Sequence, residues 1–135
     1  MVFMKWSDEL GVNVKEIDEQ HKKLFEIINR AHEGAINKDK KEGNDVLNEL
    51  IEFVRVHFST EEKYFEKCNY SGAKEHIAEH LKLTEKVLKF KNDFDKGECD
   101  CSAFLDFLKS WIEEHLKVMD MKYVSEFKKC GLRWI

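Results

Sequence analysis

The chain is predicted to be all-α: an up-down-up-down antiparallel four-helix bundle with an N-terminal arm packed across it. Three observations predict this class. The 135 residues include no proline and only six glycines, a composition that favours long helices over turn-rich β structure. Apolar residues recur at helical spacing in four successive stretches. The segments between those stretches are short and polar, and short connections between helices of ~20 residues make neighbours antiparallel.

The first dozen residues carry Phe3, Trp6, Leu10 and Val12 without a sustained helical period, so residues 1–17 are read as the arm. From Asp18, a candidate N-cap, the positions Leu24, Phe25, Ile28 and Ala31 define a first helix over about 18–37, up to the polar stretch NKDKKEGN. Leu47, Leu50, Ile51, Val54, Phe58 and Phe65 define a second over about 41–66, which the turn chemistry of CNYSG at 68–72 ends. Ile77, Leu83, Val87, Phe90 and Phe94 mark a third over about 73–94, before DKGECDCS. Phe104, Leu108, Trp111, Ile112, Leu116 and Met119 mark a fourth over about 102–128. The closing EFKKCGLRWI fits a helix extension, a packing tail or an association surface. A chain of this length closes one core without disulfides, so a single domain is expected.

Composition also excludes several partners. The 27 acidic and 23 basic residues are spread along the chain, which argues against a nucleic-acid surface or a basic membrane patch. Charges at Lys5, Asp8, Glu9, Lys15, Glu16, Asp18 and Glu19 rule out the apolar core of a signal peptide, and no apolar run has membrane length, so a soluble cytoplasmic protein is expected. Protein partners leave no sequence signature here. Cys68, Cys99, Cys101 and Cys130 are unevenly spaced with no C-x-x-C pair, which predicts free thiols, with a redox-responsive Cys99-x-Cys101 pair as the alternative.

The chemistry lies where polar residues interrupt the apolar stripes. The inward series of the second helix reads Leu47, Leu50, Val54, His57, Glu61, Phe65, so a histidine and a carboxylate occupy the seam itself. A buried carboxylate persists only when paired or bound to metal. His21 repeats the anomaly on the first helix. His76 and His80, four residues apart and so about 40° apart on one helix face, repeat it on the third. His115 follows on the fourth, between Ile112 and Met119. Five separate core histidines would need five hydrogen-bond partners in an apolar interior, whereas one shared metal site satisfies them together. Asp120 lies five residues after His115, about 140° round a regular helix. It becomes a ligand only through a local irregularity such as a π-type turn, and a solvated aspartate paired with Lys117 or Lys122 explains it as well. His32 returns to the face of His21 but ~16 Å further along, too far to join the site.

Other bundle chemistries fit less well. A ferritin-like di-iron oxidase needs Glu-x-x-His on two helices, and none of the six histidines has Glu three residues before it. The His-Glu-x-x-His of a zinc hydrolase is absent too. A histidine phosphotransfer bundle could use His32 in AHEGA as a solvent-facing phosphoacceptor, but it leaves the inward histidines without a role.

The stretches WSDELGVNVKEIDEQHKKLFEIIN, HFSTEE, HIAEH and WIEEHLKVMD, taken in order and covering nearly the whole chain, resemble the hemerythrin family, in particular its single-domain bacterial and archaeal members. The resemblance implies one hemerythrin-like domain over 1–135 with two iron ions. His76, His80 and His115 would bind one iron and His21 and His57 the other, bridged by Glu61, Asp120 and an oxo or hydroxo group. By that count the first iron is six-coordinate and the second keeps one open position, which suits a diatomic. The resemblance makes the diatomic dioxygen and the function its reversible binding for storage, delivery or protection, with no enzymatic turnover. Oxygen or redox sensing, or scavenging of peroxide or nitric oxide at the same centre, is the alternative. Ile112 corresponds to the family position that lines the oxygen pocket. Phe25, Phe58 and Trp111 are expected to wall it, though core packing also explains Phe58 and Trp111.

Overall fold

Four antiparallel rods make up the computed structural model, which describes residues 3–36 and 39–131 and contains no strand among them. The first rod is α1 (Lys15–Arg30), extended by a π-helical segment over Ala31–Ala35. The second is α2 (Lys40–Cys68) and the third α3 (Ala73–Asp95). The fourth combines α4 (Cys101–Glu114), a π-helical turn over His115–Asp120 and α5 (Met121–Lys129). No helix among the described residues is long and apolar enough to cross a membrane.

Side chains cap the starts of α2 and α4. Asp39 Oδ1 accepts from the Glu42 amide at 2.7 Å and Asp100 Oδ1 from the Ala103 amide at 3.0 Å, each cap contributing ~1 kcal/mol. Asn69, in the left-handed region at φ 49°, ends α2. The start of α2 presses against the first and third rods at Gly43. A Cβ there would lie 2.9 Å from the Ile36 carbonyl oxygen and run into the ring of Phe94, so only glycine fits.

Asp18 is not the N-cap expected from its position. Val14 holds that place without a side-chain bond, and Asp18 sits one turn inside α1, buried, with Oδ1 accepting the Val12 amide at 2.8 Å. Burial raises its pKa against the lowering effect of the Val12 and Asn13 amides. Its role is therefore to tie the arm to α1. The arm is tied again where Asn29 bonds both the amide and the carbonyl of Met4, at 2.7 and 2.8 Å.

The buried apolar residues form two clusters. The larger includes Met4, Leu24, Phe25, Leu50, Val54, Leu83, Leu108 and Leu116; the smaller includes Val12, Ile17, Phe65, Tyr70, Tyr123 and Phe127. Each large side chain so buried contributes ~1.5–3 kcal/mol. Between the two clusters lie the buried polar residues His21, His57, Glu61, His76, His80, His115 and Asp120.

Two further expectations are corrected. Ile77, assigned to the inward stripe, is 39% exposed, because its neighbour His76 takes the inward position. The cysteines are not free: Cys68 pairs with Cys130 and Cys99 with Cys101. In an up-down-up-down bundle the second and fourth rods run parallel to each other, which brings the end of α2 beside the end of α5, with the Cα atoms of Cys68 and Cys130 5.5 Å apart. In the closing segment, Glu126–Lys129 complete α5 and Phe127 joins the smaller cluster, while residues 132–135 lie outside the described part.

Candidate metal centre

Each rod delivers its polar residues to one layer. α1 supplies His21, α2 supplies His57 and Glu61 one turn apart, and α3 supplies His76 and His80 one turn apart. The fourth rod supplies His115 and Asp120 from the two ends of its π turn. That turn is the irregularity Asp120 requires. Its wider winding carries Asp120 inward to full burial and leaves Met119, the better-aligned residue of a regular helix, only half-buried.

All five imidazoles aim Nε2 at a carboxylate. His76 and His115 Nε2 lie 3.0 and 3.1 Å from Asp120 Oδ1, and His21 Nε2 lies 3.4 Å from Asp120 Oδ2. His80 and His57 Nε2 lie 3.0 and 3.5 Å from Glu61 Oε1. The donor atoms of Glu61, His76, His80 and His115 fall within 4.8 Å of one another, as do those of His21, His57 and Glu61. Glu61 thus belongs to both sets, and Asp120 turns one oxygen toward each.

These groups do not satisfy each other. Glu61 Oε1, His80 Nε2 and both oxygens of Asp120 are buried without a hydrogen bond that meets geometric requirements. His76 and His115 bring their Nε2 atoms within 2.9 Å. Buried polar atoms in this condition cost free energy unless a cation collects their lone pairs. Imidazole nitrogens with carboxylate oxygens form a donor set that suits iron and other first-row transition metals, so the residues fit a pair of such ions.

Protonation supports the same use. Burial lowers His21 to about 4 and His57 to about 3, leaving both neutral, as metal ligands must be. Burial alone would raise Asp120, but the imidazoles of His115 and His76 beside it hold it well below the usual carboxylate range. Burial pulls His80 down, yet the carboxylates of Glu61 and Glu62 outweigh it and raise its pKa.

A surrounding layer orients the inner residues. His57 Nδ1–H donates to Gln20 Oε1 at 2.7 Å; Gln20 Nε2 donates to Thr60 Oγ1 at 3.1 Å, and Thr60 donates on to the Val56 carbonyl at 3.0 Å. That chain fixes the amide orientation and keeps the His57 Nε2 lone pair facing inward. His80 Nδ1–H donates to Glu62 Oε2 at 3.0 Å. Tyr123, fully buried, donates its hydroxyl to Glu61 Oε2 at 2.7 Å. Burial, followed by the charges of Asp120 and Glu61, raises its pKa and keeps it a donor. The sequence reading missed Gln20, Glu62 and Tyr123. Only their register was available as a signal: Gln20 and Glu62 are chain neighbours of His21 and Glu61, and Tyr123 follows Asp120 by three.

The proposed pocket residues are divided by the fold. A cavity of about 20 Å³ beside His21, His57 and His115 is lined by Phe58, Trp111 and Ile112, together with Leu24, Val54, Leu83 and Leu116. Phe25 does not line it but packs edge-on against Trp6. Trp111 stacks on His115 at 4.5 Å and Phe58 on His80 at 3.8 Å. His32 is exposed, far from the layer, and stacks on Phe3 at 3.9 Å.

Comparison with known proteins gives concordant results. The family model for the hemerythrin HHE cation binding domain matches residues 12–127. A bacteriohemerythrin of Clostridium acetobutylicum is 35% identical over 127 residues, covering 89% of this chain and 98% of its own. One from Methylococcus capsulatus is 32% identical over 125 residues, covering 91% and 95%. A wild-type hemerythrin crystal structure superposes with a TM-score of 0.86 at 30% identity, covering 93% of this chain and 98% of that one.

Proposed function

The chain belongs to the hemerythrin family, and from that premise we propose that it binds dioxygen reversibly at a pair of iron ions, for storage, delivery or protection. His76, His80 and His115 would hold one ion and His21 and His57 the other, with Glu61 and Asp120 facing both. Bound there, ferrous iron would supply the electrons and a coordination site for a diatomic ligand. The observation that carries the reading is the uneven division of five inward Nε2 atoms, three and two, around two shared carboxylates.

The chain's own residues then favour binding over turnover. Val54, Phe58, Trp111 and Ile112 give the cavity beside His21 and His57 room for little more than one small molecule, and their apolar surfaces disfavour water and charged reactants. Gln20 and Glu62 hold the outer nitrogens of His57 and His80 as donors, which prevents the rings from flipping. Tyr123 donates to Glu61 Oε2 and so fixes the orientation of that carboxylate toward the layer.

The test is anaerobic ferrous reconstitution of the full chain, followed by air and then by removal of oxygen, watched by visible absorption. A band that appears and then vanishes is the expected outcome. Permanent conversion to the ferric state would replace this reading with scavenging or sensing chemistry.

A further inference from the structure

On the outer face of α2 and α3, reaching in as far as His80 and Glu62, one feature of the fold has no structural explanation. Between α2 and α3 lies a solvent-open groove of about 310 Å³, edged by Ile77, Leu81 and Leu88, which are 39, 60 and 49% exposed. Large aliphatic side chains on a helix surface ordinarily turn inward, and three along one groove form an apolar concavity facing water.

The floor of that groove includes Val54 and Phe58. The same two side chains line the small cavity beside His21 and His57. They stand one turn apart on α2, and each presents one side to the groove and another to the cavity. The outer and inner spaces are therefore separated by a wall one side chain thick. Val54 has no ring stack to break, so small rotations of its side chain can open the wall, whereas Phe58 lies flat on His80 at 3.8 Å and stays in place. Of the other residues lining the cavity, Trp111 alone is more than a few per cent exposed, and its ring lies flat on His115, so moving it disturbs a metal-layer residue.

We propose that the α2–α3 groove is the entry site for dioxygen and that Val54 is the gate between it and the metal-side cavity. The identity of the diatomic rests on the function proposed above; the route rests on the shared wall. An apolar antechamber and an apolar gate admit a neutral diatomic and oppose hydrated anions, which would have to shed water to cross.

A gate changes entry and exit together and leaves the equilibrium unaltered, which separates it from a residue that contacts bound ligand and acts on dissociation. Stopped-flow mixing of ferrous protein with oxygen reads both. Leu81→Trp, an exchange on the surface that leaves the core and the cavity untouched, covers the groove and is expected to lower the association and dissociation rate constants alike. Val54→Phe thickens the wall and is expected to lower the association rate constant by about tenfold, the effect of a modest overpacking clash on a barrier. Val54→Ala is expected to raise it. Unchanged rates in Leu81→Trp and Val54→Phe would overturn the proposal, as would acceleration confined to Trp111→Leu. Crystals under krypton pressure give a readout independent of the iron. Krypton is expected against Phe58 on both sides of the wall in the wild type, and on the outer side not in Leu81→Trp. A groove empty of krypton in the wild type would also overturn the route. Should the wild type hold iron yet show no reversible band, the functional reading fails, and the krypton result still decides the route.

Discussion

Tyr123→Phe isolates one contact of the metal layer. The exchange deletes a single hydroxyl from a ring that is fully buried and stacked on Phe127 at 4.2 Å, so packing is preserved and no cavity larger than an oxygen atom opens. What is lost is the 2.7 Å hydrogen bond to Glu61 Oε2, across 62 residues of chain. A hydrogen bond to a charged group contributes ~1.5–3 kcal/mol, and here its loss leaves the carboxylate oxygen buried without a partner. The iron-free protein should therefore unfold in urea with its stability reduced by that amount and its m-value unchanged. Iron binding should weaken as well, because Glu61 is then free to rotate away from both ligand sets. Loss of an outer partner of this kind typically costs ~10–100-fold in metal affinity. Chelator competition reads that change directly. An unfolding midpoint and an iron affinity both equal to the wild type's would refute the claim that Tyr123 orients the carboxylate.

Other perturbations have equally definite outcomes. Gln20→Leu removes the acceptor of His57 Nδ1 and should lower iron affinity by ~10–100-fold in the same competition assay, whereas Gln20→Glu, which keeps an acceptor, should restore most of it. Glu61→Ala should lower iron per chain far more than His32→Ala does, since His32 is exposed and remote; equal losses would contradict the ligand assignment. Gly43→Ala forces a Cβ toward the Ile36 carbonyl and the Phe94 ring and should cost ~1–3 kcal/mol in urea unfolding. Cys130→Ser opens a disulfide spanning 62 residues and should cost up to about 4 kcal/mol under oxidising conditions, a difference that should disappear once the wild type is reduced.

How much of this was legible in the sequence depends on whether a residue breaks a pattern. His21, His57, Glu61, His76, His80 and His115 stood out because each interrupts an apolar stripe, and the structure brings all six into one layer. Asp120 is ambiguous in a regular helix, where Met119 has the better direction; the π turn carries it inward, and a register change of that kind leaves no mark in side-chain periodicity. Gln20, Glu62 and Tyr123 conform to the polar and aromatic positions expected of a bundle, so nothing flags them until distances are known. Asp18 resembles a helix cap in sequence because its true partner, the Val12 amide, reaches it only through the turn at Asn13, where φ is 64°. The pairing of Cys68 with Cys130 depends on two helix ends meeting at the same level, a tertiary fact that spacing does not encode. Ile77 shows the converse: its apolar character places it inward, yet two histidines on the same helix already hold that face.

The most direct test of a two-ion centre is anomalous diffraction at the iron edge from crystals of ferrous-loaded protein. Two peaks are expected inside the bundle, one among His76, His80 and His115 and one beside His21 and His57, both in contact with Glu61 and Asp120. A single peak, or peaks away from those seven side chains, would contradict the account.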